Sequence, residues 1–440
     1  MRRFWLETYG CQMNKAESNA LEGQMLDSGW VPASAAEDAD LVILNTCSVR
    51  LTAENRIWGR LGYFKKLKET RPHTLVVMGC MAERLKGEIK KTVPAVDMVV
   101  GTFQKADFAR LLGQAACGRH ALAAEGLQSE GRGREGAYAF QARHSRKNDY
   151  RAFVPIMHGC DNFCSYCIVP FVRGREVSRD PHSIFGEIGG LLREGRVKEI
   201  TLLGQNVNSY RFQDLDFPGL LEELFRRFPD APWIRFLTSH PKDFSPALAK
   251  CMASHRAMCR HIHLPVQHGS DTILAAMNRQ YTRGAYLALT ETIREALPDV
   301  LLSTDLLIGF PGETDKDFQD TLDLIRAVRF DDAFTYYYNP RQGTAAWKMP
   351  DSVPEKLKLE RLRELIEVQK GISREKKKQR LGTTVDVLAE GASKKNSAEI
   401  LGRTEGDEMV VFPGQGAGDF RKVRLDQLKG NTFYAHEVSR

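Results

Sequence analysis

The sequence predicts an α/β protein in three parts: a doubly wound parallel-sheet domain over residues 1–118, a partial (β/α)6 barrel over 149–378, and a small all-β barrel of oligonucleotide-binding (OB) type over 379–440. Three observations predict it. Apolar runs alternate with amphipathic helical segments in two series; a Gly- and Arg-rich stretch over 119–148 separates the series; and past about Leu381 the texture changes to β-branched runs between glycine turns. At 440 residues the chain exceeds one ordinary core. Hydrophobic residues at 42% and charged residues at 27% match globular usage throughout.

The first series begins with FWLETYG and a helical stretch through KAESNALEGQMLDSG. It continues with DLVILNTC, a helix through TAENRIWGRLGYFKKLKE, and the runs TLVVMGC and MVVGT. Strands this uniformly apolar are covered on both faces, the pattern of a parallel sheet between helical layers. The second series starts at AFVPIM and runs through KEITLLG, WIRFLTS, HIHLPV, LLSTDLLIGF and DAFTYYYN. Helices such as PHSIFGEIGGLLREG and KDFQDTLDLIRAV alternate with these runs. Six βα units with right-handed crossovers curl the sheet into a barrel short of eight-unit closure. A charged amphipathic helix, PEKLKLERLRELIEVQKGISREKKKQR, then leads into short β-branched runs suited to a small barrel.

Composition narrows the function class. No run has the length of a membrane span, and Arg2 and Arg3 lead to Glu7 rather than to an apolar signal core, so a cytoplasmic protein without membrane contact is expected. Nine cysteines in such a chain point to metal or redox chemistry, because a reducing compartment does not sustain a disulfide framework. A formal net charge of +7 suits a polyanionic partner without requiring one. The chain has no G-x4-GK[ST] phosphate loop, so a nucleotide triphosphatase has no support.

Two cysteine triads carry the chemistry. In HGCDNFCSYC, Cys160, Cys164 and Cys167 are spaced C-x3-C-x2-C just after the first strand of the second series. Three thiolates in one loop can hold three irons of a [4Fe–4S] cube and leave the fourth open to a substrate or cofactor. The alternative is structural zinc with His158 as fourth ligand, but the second C-x2-C arm usual for zinc is missing. In the first domain Cys11, Cys47 and Cys80 each close an apolar strand, in TYGC, LNTC and VMGC. Open α/β sheets bind ligands outside the carboxyl ends of their strands, so these three are expected to meet and hold an auxiliary cluster, again with an open iron, three separately buried cysteines being the alternative. Cys117, Cys251 and Cys259 lie in helix-like segments without matching partners and read as small buried hydrophobes.

The cysteine loop at the head of a βα barrel resembles the radical S-adenosylmethionine (SAM) superfamily, in which the open iron binds SAM and an electron cleaves it to a 5′-deoxyadenosyl radical. With TYGCQMN, LNTCSVR and VMGC, and with LLGQNVNSY, RFLTSHP, HLPVQHGSDTILAAMNRQYTR and STDLLIGFPGET, the chain is similar over nearly its whole length to the methylthiotransferases, radical SAM enzymes with two [4Fe–4S] clusters. That resemblance implies a TIM-like radical SAM barrel and a carboxyl-terminal TRAM domain. Gln12, Met13 and Asn14 of TYGCQMN, with TSHP and MNRQYTR, resemble the branch that 2-methylthiolates N(6)-isopentenyladenosine beside the tRNA anticodon. Relatives acting on threonylcarbamoyladenosine of tRNA, or on an aspartate of a small-subunit ribosomal protein, share the six cysteines. A non-catalytic zinc- or RNA-binding protein is the alternative from another class. The resemblance also implies two SAM molecules per product: one methylates a cluster-bound sulfur, the other yields the radical that removes hydrogen from carbon 2 of adenine. It implies tRNA, an external electron donor and a sulfur source as partners. His268 in VQHGSD stands where serine is expected in many tRNA-acting members.

By the same resemblance Tyr166 lies against the adenine of SAM, an ordinary aromatic at the barrel mouth being the alternative. Gln205, Asn206, Ser239 and Gln267 follow barrel strands, where barrel enzymes keep their sites. Gln205, Ser239 and Gln267 are expected cofactor contacts, with a structural hydrogen bond in the loop as the alternative for each. The GFPGET loop, Gly309 to Thr314, resembles the family's adenine-side strand end. Arg173 and Arg175 in RGRE are expected to receive RNA phosphates or the SAM carboxylate. Arg421, Lys422 and Arg424, beside Phe420, are expected to meet RNA. A solvated charged surface is the alternative for both groups.

Overall fold

Five parallel strands open the chain: β1 (Arg3–Thr8), β2 (Val31–Pro32), β3 (Leu41–Thr46), β4 (Thr74–Gly79) and β5 (Met98–Val100), in the order β2-β1-β3-β4-β5. The strand β3 explains the doubly wound form, because all six of its residues are buried. Leu41 and Ile43 pack with Phe4, Leu21 and Met25, while Val42 and Leu44 pack with Ile57, Leu61 and Phe64 on the other face. The helices that supply these faces include α1 (Gln12–Asp27) and α2 (Leu51–Thr70). Next come α3 (Cys80–Arg84), α4 (Lys86–Thr92) and α5 (Phe108–Ala116). This computed structural model describes residues 1–48, 51–116, 138–141 and 150–438. Cys117 and most of the 119–148 connection lie outside the described residues.

The central domain comprises β6 (Arg151–Pro155), a ribbon of β7 (Met157–His158) with β8 (Val177–Ser178), β9 (Glu199–Leu203), a ribbon of β10 (Arg211–Phe212) with β11 (Leu215–Asp216), β12 (Trp233–Leu237), β13 (His261–His263), β14 (Leu301–Ile308) and β15 (Asp332–Tyr337). Its helices begin with α6 (Val169–Arg173), α7 (Pro181–Arg193), α8 (Phe217–Arg227) and α9 (Pro246–Ser254). They continue with α10 (Asp271–Ala276), α11 (Arg283–Ala296), α12 (Asp315–Val328) and α13 (Glu355–Gln379). The parallel sheets β12-β9-β6 and β13-β14-β15 are joined by a parallel bridge between Ile234 and Met258. The result is a six-stranded partial barrel around one large apolar core.

The last five strands, β16 (Thr384–Ala392), β17 (Glu399–Thr404), β18 (Met409–Pro413), β19 (Phe420–Lys429) and β20 (Thr432–Glu437), close a barrel in the order β16-β17-β18-β20-β19. Val387, Ile400, Phe412, Val423, Leu425 and Phe433 fill it. Ion pairs fasten it to the central domain: Arg151 reaches Glu390 at 2.9 Å, and Arg256 reaches Glu405 at 2.6 Å. At the other side, Met13 and Ala16 of α1 pack on Leu203, with Phe153 and Leu237, so the first domain covers the carboxyl ends of β6, β9 and β12. Among the described residues no helix is long and apolar enough to cross a membrane.

Candidate cofactor site

Strands β1, β3 and β4 are neighbours, and a cysteine stands at the carboxyl end of each. Cys11 caps α1, Cys47 follows β3, and Cys80 opens α3; Cys11 is exposed, and the other two are buried. Gly10 lies at φ +113°, and a Cβ there would fall 2.4 Å from Cys47 Cβ and 2.8 Å from its Sγ. Gly79 lies at φ +97°, and its Cβ would fall 2.5 Å from the Thr46 carbonyl oxygen. Both are conformations that favour glycine, and both let the cysteine-bearing turns close on one another. Asn14 ties the cradle together by donating to the carbonyls of Tyr9 at 2.7 Å and Thr46 at 3.0 Å.

The second triad lies on one loop between β7 and α6. Gly159, at φ +79°, starts it where a Cβ would meet the Arg175 carbonyl oxygen at 1.9 Å. Two donors already point at sulfur: Asn162 Nδ2 at Cys160 (3.5 Å) and Arg279 Nη1 at Cys164 (3.3 Å). Burial and the neighbouring thiols push the Cys167 thiol up to about 12, and burial foremost takes Cys160 to about 11. These thiols therefore need a bound metal to become thiolates at neutral pH. Cys80 packs against Ile168 and Val172, the former directly following Cys167, so the two triads adjoin.

The donor geometry counts against a single zinc ion. Thiolates on one tetrahedral zinc lie about 3.8 Å apart. Among the described residues, the His/Cys/Asp/Glu set with three ligand atoms mutually within 4.8 Å is Glu222, Cys251 and His255, not either triad. His158, the fourth ligand in the zinc alternative, is buried and stacks on Tyr138 with ring centroids 3.5 Å apart. Cys251 is buried in α9, and Cys259, also buried, follows the Met258 bridge rather than lying in a helix. Each triad offers three thiols and no fourth protein ligand among the described residues, the donor set of a cluster with one open iron.

At the barrel mouth, Gln205 accepts from the Gly159 backbone N–H at 2.6 Å, so it supports the cysteine loop. Ser239 Oγ and Asn206 Oδ1 are buried without a partner among the described residues. Buried polar groups are nearly always bonded, so these two fit contacts from a polar cofactor such as SAM. Gln267 takes φ +71° and bridges to Leu306, and Thr238, just before Ser239, takes φ +74°. Left-handed backbone at non-glycine residues clusters at functional sites. Tyr166 packs with Phe310, Tyr338 and Met277, and Arg279 donates to its hydroxyl at 3.4 Å. His268 is buried with Nε2 3.1 Å from Glu313, whose carboxylate also accepts from the Gly309 N–H (2.6 Å) and Arg361 (2.7 Å). His268 thus ties the VQHGSD and GFPGET loops together.

One RNA expectation needs correction. Arg173 is buried, donating to Glu17 at 2.8 Å and Asn14 at 2.9 Å, so no phosphate can reach it. Phe420, beside the basic residues of β19, meets Trp233 of the central domain edge-on, ring centroids 4.7 Å apart. Arg175 is half exposed, pairs with Asp161 at 3.1 Å and lies over the Phe163 ring. Lys422 and Arg424 are exposed on β19, whereas Arg421 is partly buried and bonded to Glu437 at 3.2 Å. Sequence reasoning missed Arg279, Glu17 and Lys105. Each is a charge inside an otherwise ordinary helix or loop, with no local signal that it would be buried.

Fold and site define the chain as a radical SAM enzyme of three modules. Residues 154–325 match the Radical SAM superfamily, residues 378–437 the TRAM domain, and residues 3–101 "Uncharacterized protein family UPF0004". The chain is 47% identical to tRNA-2-methylthio-N(6)-dimethylallyladenosine synthase of Treponema denticola, covering 98% of this chain and 99% of the relative. Its identity to the synthase of the same name from Carboxydothermus hydrogenoformans is 43%, covering 99% of each. The chain belongs to the tRNA-2-methylthio-N(6)-dimethylallyladenosine synthase family. In fold alone it is similar to the radical SAM methyltransferase TsrM from Kitasatospora setae, with TM-score 0.59 and 16% identity over 79% of this chain and 77% of that one. It is similar again to the cobalamin-dependent radical SAM enzyme OxsB, with TM-score 0.52 and 10% identity over 83% of this chain and 56% of that one.

Proposed function

We propose that this enzyme 2-methylthiolates N(6)-isopentenyladenosine, the dimethylallyladenosine of the relatives' name, beside the tRNA anticodon. In this reading Cys160, Cys164 and Cys167 hold the SAM-binding [4Fe–4S] cluster, and Cys11, Cys47 and Cys80 hold an auxiliary one. The observation that carries it is the packing of Cys80 on Ile168 and Val172, which sets the two triads beside each other. When bound, the clusters and SAM supply hydrogen abstraction and methylthio transfer at carbon 2 of the adenine.

The chain's own residues do the positioning. Asn162 and Arg279 donate to the sulfurs of Cys160 and Cys164 and hold the cysteine loop in place. Gln205 fixes the entry to the loop, and Ser239 and Asn206 offer oxygens at the barrel mouth. Met13 and Ala16 cover the mouth and exclude water. The reading requires two SAM molecules per product, an external electron donor and a sulfur source, and it puts tRNA on the exposed Lys422 and Arg424 face.

Nucleoside mass spectrometry of tRNA from cells lacking the gene tests it. The expected result is loss of 2-methylthio-N(6)-isopentenyladenosine, restored by the intact gene but not by Cys11→Ala. Unchanged tRNA would overturn the reading, and loss of the methylthio group from threonylcarbamoyladenosine instead would move the substrate to that nucleoside.

A further inference from the structure

Between the two triads lies a buried group of charges that the proposed reaction does not use. Arg173 leaves the radical SAM domain at the end of α6 and enters the first domain, where it donates to Glu17 at 2.8 Å and Asn14 at 2.9 Å. Lys105 pairs with the same carboxylate and donates to Asn45 at 3.2 Å. Tyr138 donates to Glu17 at 3.3 Å, and its ring stacks on His158. His158 is held neutral by burial and by Arg173. The groups facing one another are therefore two cations, one carboxylate and neutral partners, and Glu17, Lys105 and Arg173 are all nearly inaccessible to water.

Among the described residues, one buried positive charge of this group is left without a carboxylate. Such a charge is costly unless an anion stands nearby. Two cysteines of the auxiliary triad lie beside it: Cys80 packs on Val172, the residue before Arg173, and Cys11 Sγ is 3.8 Å from Asn14 Oδ1, the same oxygen that accepts from Arg173. Three thiolates on a [4Fe–4S]2+ core make an anionic assembly. Charge complementarity thus links the radical SAM domain to the auxiliary triad.

We propose that Arg173 is a positioning residue for the auxiliary cluster: clamped by Glu17 and Asn14, it carries the uncompensated cation that stabilises the cluster's added electron, so the first domain's cradle is electrically complete only with the radical SAM domain docked. This rests on the reading of Cys11, Cys47 and Cys80 as cluster ligands.

The test uses the full chain with Cys160, Cys164 and Cys167 replaced by Ala, reconstituted anaerobically with iron and sulfide, so that only the auxiliary cluster reports. Its reduction is followed by electron paramagnetic resonance during a redox titration. Arg173→Met is expected to make reduction at least tenfold less favourable, about 59 mV lower for one electron. Glu17→Gln, which removes the compensating anion, is expected to shift it in the opposite direction, and Arg173→Lys to stay near the parent. A purely structural role would reduce cluster loading without giving shifts of opposite sign. If Arg173→Met does not load, Glu17→Gln decides: an upward shift supports the proposal and none overturns it. A cluster whose potential ignores both charges overturns this proposal alone, whereas a parent chain holding no iron–sulfur overturns it together with the auxiliary-cluster reading.

Discussion

Gly10 is where a single atom decides whether the auxiliary triad can form. A methyl group there would overlap Cys47 Cβ and Sγ, on a backbone already at φ +113° that side chains rarely adopt. Gly10→Ala is therefore expected to spare the radical SAM loop and dislodge the other triad. Iron analysis after anaerobic reconstitution should fall from about eight to about four atoms per chain. Retention of all the iron would show that the turn can yield. His268 acts as a tie in the same way, since its ring bonds Glu313 at 3.1 Å and accepts from the Ser270 N–H at 3.1 Å. Serine, being shorter, would leave Glu313 with only Gly309 and Arg361, so the histidine of VQHGSD belongs to loop support.

At the scale of elements, strand β9 carries a buried carboxylate that binds three parts of the fold. Burial alone would raise Glu199, but Arg235 at 3.2 Å and Arg151 at 2.8 Å outweigh it and hold the carboxyl below its usual range. A folded pKa below the unfolded one means that this stability is present above the ordinary carboxylate pKa, about 4.3, and is lost as pH falls through the folded value. Glu199→Gln strands the buried Arg235 and is expected to cost about 3–5 kcal/mol at pH 7. Its melting temperature should drop most at neutral pH and converge on wild type in acid; a pH-independent gap would exclude the charge as the cause. The strands themselves were legible, because continuous apolar runs ending in Cys11, Cys47 and Cys80 determine a two-faced sheet and the edge where its ligands lie. Arg173 was not. RGRE reads as surface until Glu17, 156 positions earlier, is folded against it. The Phe420–Trp233 contact was equally hidden, since the two rings lie in different domains.

For the whole molecule, the closing barrel must present RNA-binding charge while remaining fastened to the enzyme. Arg151 and Arg256 are used in the fastening, pairing with Glu390 and Glu405, and the Trp233–Phe420 contact seals the same side. Strand β19 divides its residues by pleat: Val423 and Leu425 fill the barrel, and Lys422 and Arg424 point outward. Opposite them on β16 stand Asp386 and Thr384, which leaves Arg424 without a cross-strand carboxylate there. Arg421 is the internal control, being partly buried and bonded to Glu437. If the outward pair contacts phosphate, each residue releases counterions on binding, so affinity depends on salt through both. Lys422→Glu with Arg424→Glu should weaken binding of unmodified tRNA and flatten the slope of log K against log salt by about 1.5. Arg421→Gln should leave that slope nearly unchanged. Both clusters should load as in wild type, because neither residue touches a cysteine-bearing element. A slope that responds to Arg421 rather than to Lys422 and Arg424 would overturn the assignment of phosphate contact to the outward pair.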